Sequence, residues 1–360
     1  MRGGIVLFAK RPGVTSFSSL FSIKRALGTK KVGHTGTLDS FASGLLVVCT
    51  GSLTRIASYI TSFNKTYDAV IEFGVETDTL EYTGKIVKTA PLPKKDDVLS
   101  AIKQYTGGIL QTPPLFSALH INGERASDIA RSGRSAEMPS RPVTVYASEA
   151  EEFLFEAGDR VKAVRVRFSV SKGTYIRSLA RDIGSYCKSA AHLAGLRRLS
   201  VGSFRLEDAA GFSSLAPFTL QSVYQTISDM QKTQSACKAD ASEHTSHSGE
   251  DVQSEVREKM QTMTESLAAE CGFGTAHIFP EYEDDFKHGR PLYSSMFEKG
   301  AGGLCAASVT CSANDVSSGS GTCASGGEGA IAVFGKHGNF LGMISRNGED
   351  AYSYAFVIPD

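Results

Sequence analysis

The side chains able to do chemistry in this 360-residue sequence gather in a few short runs. The densest is 33–44, GHTGTLDSFASG, where Gly33, Gly36 and Gly44 bracket the single acid Asp39. Glycines at such points permit left-handed backbone and close approach of another chain segment. The run neither ends in Gly-Lys-Ser/Thr nor opens as G-x-G-x-x-G, so it is not a phosphate cradle of either kind. A loop carboxylate can serve as a nucleophile, but on composition alone a turn residue or cap is the more frequent role. A second run, KGTYIR at 172–177, sits where a strand meets a helix and puts Arg177 in the first helical turn. A helix N-terminus gains nothing from a cation, which points to an acidic partner elsewhere. The plainer reading is a surface arginine. KTY at 65–67 opens a strand with Tyr67, by default a core aromatic. LRRL at 196–199 carries the adjacent pair Arg197 and Arg198, suited to phosphates or to any solvated edge. Residues 113–141 form a long basic stretch holding Phe116, His120, Arg125, Arg131, Arg134 and Arg141. Basic side chains with an aromatic among them suit an RNA backbone. None of the histidines pairs with Cys or an acid at metal-ligand spacing, and there is no G-x-S-x-G elbow, so neither a metal site nor a serine hydrolase is expected.

These runs need elements to hold them, and periodicity supplies them. An apolar strand is expected at 4–8, then a helix that starts after Thr15-Ser16 and stops at Gly28. A buried strand follows at 45–49. Residues 65–73 alternate, with Tyr67, Ala69, Ile71 and Phe73 on one side. A helix is expected at 97–105. At 161–170, Val164, Val166, Phe168 and Val170 face one way while Arg165, Arg167 and Ser169 face the other. Ile176, Leu179, Ala180 and Ile183 form the core stripe of a helix over 174–186, and a strand returns at 196–201. Half-alternating strands with few buried crossovers predict an α+β class, a largely antiparallel sheet with helices on its faces.

The charge balance is 38 Lys+Arg against 38 Asp+Glu, but it is not uniform. Residues 1–215 hold 29 basic and 19 acidic side chains, and residues 216–360 hold 9 and 19. Such asymmetry fits polyanion binding by the basic part. Composition divides the chain into a body at 1–215, a low-complexity acidic linker at 225–275 and a small β-rich domain at 276–360. That last domain carries a Gly/Ser/Cys-rich insertion at 300–329. The cysteines show no paired spacing and read as free thiols of a cytoplasmic protein. The N-terminal apolar run reads as a first strand rather than a signal peptide, and no stretch is long enough to span a bilayer.

Taken together, the motifs resemble those of the bacterial tRNA pseudouridine-55 synthases, the TruB family. The runs 33–44, 65–67, 112–131 (TPPLFSALHINGERASDIAR), 141–145 (RPVTV), 171–177 and 196–199 occur in that family's order and with similar spacing. The resemblance covers about residues 3–210. Beyond them FKHGRP at 286–291 and FLGMI at 340–344 resemble a PUA-type RNA-binding domain. It implies a pseudouridine-synthase fold: a mixed, mainly antiparallel bent sheet flanked by helices, with a degenerate PUA-like β domain after it. It implies isomerisation of the T-loop uridine of tRNA, an isomerase needing no cofactor and no metal. By the same resemblance Asp39 is the nucleophile, Arg177 pairs with it and aims it, and Tyr67 stacks on the target base. Tyr175 and Leu196 line the uracil pocket, and His34 contacts the RNA where the base leaves its stack. Residues 113–141 match a thumb-like clamp on the RNA. Lys10, Phe116, His120, Arg125, Arg131, Arg141, Arg197 and Arg198 are the expected RNA contacts. The expected partner is the T-arm of tRNA, bound by a monomer with no obligate protein partner and no membrane. Ser40 stands where the family usually has proline, and His120 where lysine is common. The rival readings are a tRNA-folding chaperone with incidental catalysis, or the same chemistry on another RNA.

Overall fold

The computed structural model describes residues 3–121, 123–134, 137–236, 248–298, 329–347 and 351–358. The strands of the N-terminal body are β1 Ile5–Lys10, β2 Val32–His34, β3 Ser43–Thr50, β4 Lys65–Phe73, β5 Val75–Thr77, β6 Ile86–Thr89 and β7 Gly107–Gln111. They continue as β8 His120–Ile121, β9 Glu124–Arg125, β10 Arg141–Ala157, β11 Arg160–Val170, β12 Ala191–Val201 and β13 Phe204–Arg205. The body's helices are α1 Ser16–Leu27, α2 Ala57–Thr61, α3 Lys95–Gln104, α4 Ala126–Arg131, α5 Ile176–Tyr186 and α6 Leu220–Ala236. After them come α7 Ser248–Glu258, α8 Glu265–Glu270 and α9 Glu283–Lys287.

One large sheet runs β1-β3-β12-β4-β11-β10-β7, with β2 on β3 and β13 on β12. Its pairings are antiparallel except that β12 lies parallel to β3, joined at Arg197–Ser43 and Arg198–Gly44. The alternation of β4 and β11 is realised as two faces. Ala69, Ile71 and Phe73 join Val164, Val166, Phe168 and Val170 in a core closed by α3, α5 and the 38–42 loop. On the other face, Val70, Ala163 and Ala194 pack under α6. There Arg165 and Arg167 meet the buried Asp68, at 3.2 and 2.8 Å. β1 and β3 are buried on both sides and so read as unbroken apolar runs.

α1 forms where expected. Thr15 caps it by accepting from the Ser18 N–H, and Gly28 ends it at φ +60°. Leu20, Ile23 and Ala26 face the core. The α5 stripe of Ile176, Leu179, Ala180 and Ile183 is likewise buried.

The C-terminal domain is a five-stranded sheet in the order β14-β16-β17-β18-β15, from β14 Gly274–His277, β15 Leu292–Tyr293, β16 Ala330–Phe334, β17 Phe340–Arg346 and β18 Ala351–Val357. Phe273, Phe334, Met343 and Phe356 share one core with Ile5, Leu7 and Val47 of the body. The acidic linker expected at 225–275 differs from the structure over 248–270. There α7 packs on α1, Val256 is fully buried, and Gln261 exchanges two backbone hydrogen bonds with Ile5 at 2.8 and 2.9 Å. Val252, Val256 and Met260 recur every four residues, a stripe that average polarity hides. The insertion at 300–329 lies outside the described residues apart from Gly329, as do Cys305, Cys311 and Cys323.

Candidate active site

Asp39 sits in the loop between β2 and β3, and the backbone on both sides of it is anchored. The Ser16 hydroxyl, at the start of α1, accepts from the Leu38 N–H at 2.8 Å and donates to the Leu38 carbonyl at 2.9 Å. The Ser40 carbonyl accepts from the Gly13 N–H at 2.8 Å and from Lys10 Nζ at 3.2 Å. Leu38, Phe41 and Ala42 are buried, while the Asp39 side chain remains 34% exposed. A fixed backbone presenting a part-exposed carboxylate is a preorganised arrangement for attack on a bound ligand.

Arg177 does have an acidic partner, and it is Asp39. Arg177 Nη2 donates to Asp39 Oδ1 at 3.0 Å and to the Phe116 carbonyl at 2.9 Å. Nη1 donates to the Thr79 carbonyl at 2.9 Å. The Arg177 side chain is 6% exposed, so this is a buried cation held by three segments remote in sequence, not a surface arginine.

The same core gathers the other expected residues. Tyr67 is half-buried against the cluster that holds Phe41, Ile176 and Leu196. Its strand neighbours are Phe168 on β11 and Arg198 on β12. Tyr175 caps α5, with its N–H bonded to Gln111 Oε1 at 2.8 Å and its ring 5.0 Å beneath the Arg141 guanidinium. Arg141 also donates to the Gly173 carbonyl. Leu196 lines a cavity of about 290 Å³ with Phe41, Tyr82, Phe218 and Met230. His34, on β2, has its Nδ1 buried without a hydrogen-bond partner. Burial, then the charge of Arg198, lowers its pKa.

Three expected RNA contacts are placed otherwise. Lys10 is fully buried and spends its ammonium on the carbonyls of Arg11, Val14 and Ser40 at 3.0, 2.5 and 3.2 Å. Arg198 is buried, bonding the Leu45 carbonyl at 2.8 Å and the Gly36 carbonyl at 3.0 Å. Arg197 is buried too, bonding Ser43 Oγ at 3.0 Å and the Ala216 carbonyl at 2.9 Å, with its guanidinium over the Phe218 ring. These cations fasten the Asp39 loop and β3 from behind. Their adjacency in sequence resembles a phosphate motif, but only the fold shows which carbonyls they serve. The 113–141 segment keeps its basic surface: His120, Arg125 and Arg131 lie on a β8–β9 hairpin and α4, Arg131 pairing with Asp128 at 2.8 Å. Phe116 is half-buried and contributes its carbonyl to Arg177.

Sequence reasoning missed Ser16, Gln111, Thr79 and Glu81. The first three act through one or two hydrogen bonds to segments distant in sequence, which leave no local pattern. Glu81 is a second carboxylate by the pair. Burial raises its pKa, the Thr83 hydroxyl opposes this at 2.8 Å, and the Asp39 charge adds to it. Among the described residues no cluster of three His, Cys, Asp or Glu could hold a metal ion, and no helix is long and apolar enough to cross a membrane.

Comparison with solved structures gives the class of fold. The chain superposes on a Cbf5-Nop10-Gar1 complex with a TM-score of 0.58 at 22% identity, covering 99% of this chain and 85% of that one. An H/ACA RNP bound to a substrate RNA containing 2'-deoxyuridine gives 0.57 at 20% identity, covering 98% and 84%. The fold is that of the pseudouridine synthases. Residues 24–176 match the family model for the N-terminal domain of TruB family pseudouridylate synthase. A protein of Treponema denticola named tRNA pseudouridine synthase B is 46% identical over 229 residues, 60% of this chain and 64% of that protein. The protein of the same name from Borreliella burgdorferi (strain ZS7) is 42% identical over 224 residues, 62% of this chain and 78% of that one. The chain thus spans slightly under two thirds of the Treponema relative and over three quarters of the Borreliella one, and it belongs to the TruB family of pseudouridylate synthases.

Proposed function

We propose that this chain converts the T-loop uridine of tRNA, position 55, to pseudouridine, with Asp39 as the nucleophile. The observation that carries the reading is the Asp39–Arg177 pair: a part-exposed carboxylate on an anchored loop, aimed by a buried guanidinium at 3.0 Å. The reaction breaks the N-glycosidic bond, turns the uracil and rejoins it through C5, so atoms and electrons balance without a cofactor. It requires a group that adds covalently to the nucleoside and leaves again, and a carboxylate can do both. The base must leave its stack, at a cost of a few kcal/mol. Tyr67 and Tyr175 offer ring faces for the extruded uracil, and Leu196 an apolar wall. The names of the relatives support tRNA as the substrate. The exposed basic residues of the 113–141 segment support a clamp on the T-arm; in this reading the chain acts as a monomer in the cytoplasm.

The test is pseudouridine mapping on unmodified tRNA. The wild-type chain is expected to modify one T-loop uridine, and Asp39→Asn none while still binding the RNA. Full activity in that variant refutes the nucleophile, and modification confined to other RNAs refutes the substrate.

A further inference from the structure

We infer that the outer face of α1 is a second contact for the RNA substrate: an unstacked base rests on the Phe17–Phe21 pair and its phosphates on Lys24, Arg25, Lys30 and Lys31. The inference rests on RNA being the substrate, as proposed above. Phe17 and Phe21 are 63% and 61% exposed. Folding does not need them there, because Leu20, Ile23 and Ala26 already fill the core side of α1. They are four residues apart, on one helix face, and their rings meet edge to face with centroids 6.0 Å apart. Lys24 Nζ stands 5.3 and 5.5 Å from the two centroids, so the aromatic pair carries its own cation.

The surroundings select the ligand. No Asp or Glu occurs between Met1 and Leu38. Among the described residues none of Lys24, Arg25, Lys30 or Lys31 pairs with a carboxylate. A protein-docking face of this size has an apolar centre and a mixed rim, whereas here two rings are joined by the cations Lys24, Arg25, Lys30 and Lys31 of the same acid-free segment. Rings for base faces and free cations for phosphates are the combination that holds unpaired nucleic acid. The patch also belongs to the helix that anchors the Asp39 loop. Ser16, the residue before Phe17, is bonded at both ends to Leu38, the residue before Asp39. Lys30 and Lys31 run into β2, which carries His34 and packs on α1. α7 covers a different flank, where Arg257 bonds the Ala26 carbonyl at 2.8 Å.

The experiment is titration of the full chain with unmodified tRNA over a range of salt, alongside the isomerisation rate at saturating tRNA. Phe17→Ala/Phe21→Ala is expected to bind about tenfold more weakly, and Phe17→Tyr/Phe21→Tyr to bind as wild type. Lys24→Gln/Lys30→Gln/Lys31→Gln is expected to reduce the slope of log K against log salt by about 2, at roughly 0.7 per single-strand phosphate contact. The saturated rate stays at the wild-type value in all three. Unchanged affinity and unchanged slope overturn the inference. Unchanged affinity with a loss of self-association in the alanine variant overturns it in favour of a face between copies. A wild-type chain that binds tRNA through this face yet forms no pseudouridine sinks the proposed activity and leaves the contact standing; one that binds no RNA sinks both.

Discussion

Arg177 holds Asp39 with the same nitrogen, Nη2, that it donates to the Phe116 carbonyl, at 3.0 and 2.9 Å. The Asp39 carboxylate and the root of the 113–141 segment are therefore read by one guanidinium. Movement of the 113–141 segment on RNA would be felt at the carboxylate through a single atom. The third bond, from Nη1 to the Thr79 carbonyl, fixes the plane in which this happens.

Arg177→Lys tests that geometry. A lysine keeps the charge but replaces a planar fork by one point, and one ammonium cannot serve Asp39, Phe116 and Thr79 along those directions. The single-turnover rate at saturating enzyme is expected to fall about 10²- to 10³-fold, with tRNA affinity changed far less. A variant that binds weakly but reacts at the wild-type rate once bound would show that Arg177 serves binding, not aim.

Arg198 separates a structural cation from an RNA contact. The residue is 2% exposed, and its guanidinium ties the Leu45 and Gly36 carbonyls. Arg198→Met strands both acceptors and is expected to destabilise the chain by about 2 kcal/mol, read as a lower denaturation midpoint. The salt dependence of tRNA binding should stay as in wild type, since no phosphate contact is lost. A shallower slope with unchanged stability would restore the phosphate role.

The sheet was legible because its strands alternate or run apolar, and the α5 stripe because each position meets the same core. Asp39 and Arg177 were legible as residues, but not as a pair: 138 positions separate them, and only the chain's path joins them. Family resemblance supplied that pairing where spacing could not. The adjacent cations Arg197 and Arg198 misled because charge in a sequence carries no sign of depth. The helix α7 was missed because its two core residues, Val252 and Val256, are diluted among acids.

Gly44 is the tight point of the parallel junction. It lies at φ +116°, and a Cβ there would stand 2.3 Å from the Arg198 carbonyl oxygen and 2.5 Å from its nitrogen. Neither atom can yield, since β12 continues into the sheet through that residue. Gly44→Ala is expected to cost about 3 kcal/mol or more and to lower activity in proportion to unfolding. Normal thermal stability in this variant would mean that β3 and β12 can part without harm.

Lys10 sets a limit in pH. Burial pushes its pKa down from 10.5 to about 8, the Asp39 charge working against the shift and Arg198 adding to it. The ammonium has three N–H donors, one for each of the carbonyls of Arg11, Val14 and Ser40. The neutral amine has two, so above about pH 8 one carbonyl loses its bond and the cation beside Asp39 disappears. The saturated isomerisation rate is therefore expected to fall as pH rises through about 8. Stability responds with the opposite sign. Folding lowers this pKa, so between about pH 8 and 10.5 the unfolded chain binds the extra proton, and this group favours folding more as pH rises. Loosening of the loop is thus separable from unfolding: the rate drops while the thermal midpoint does not drop with it. Lys65, also near 8, shares the direction of shift but lies on β4 and bonds the Thr61 and Phe63 carbonyls. Lys10→Met should abolish the falling limb and show a low rate throughout, and Lys65→Met should keep the limb. A limb that survives in Lys10→Met assigns it to another group.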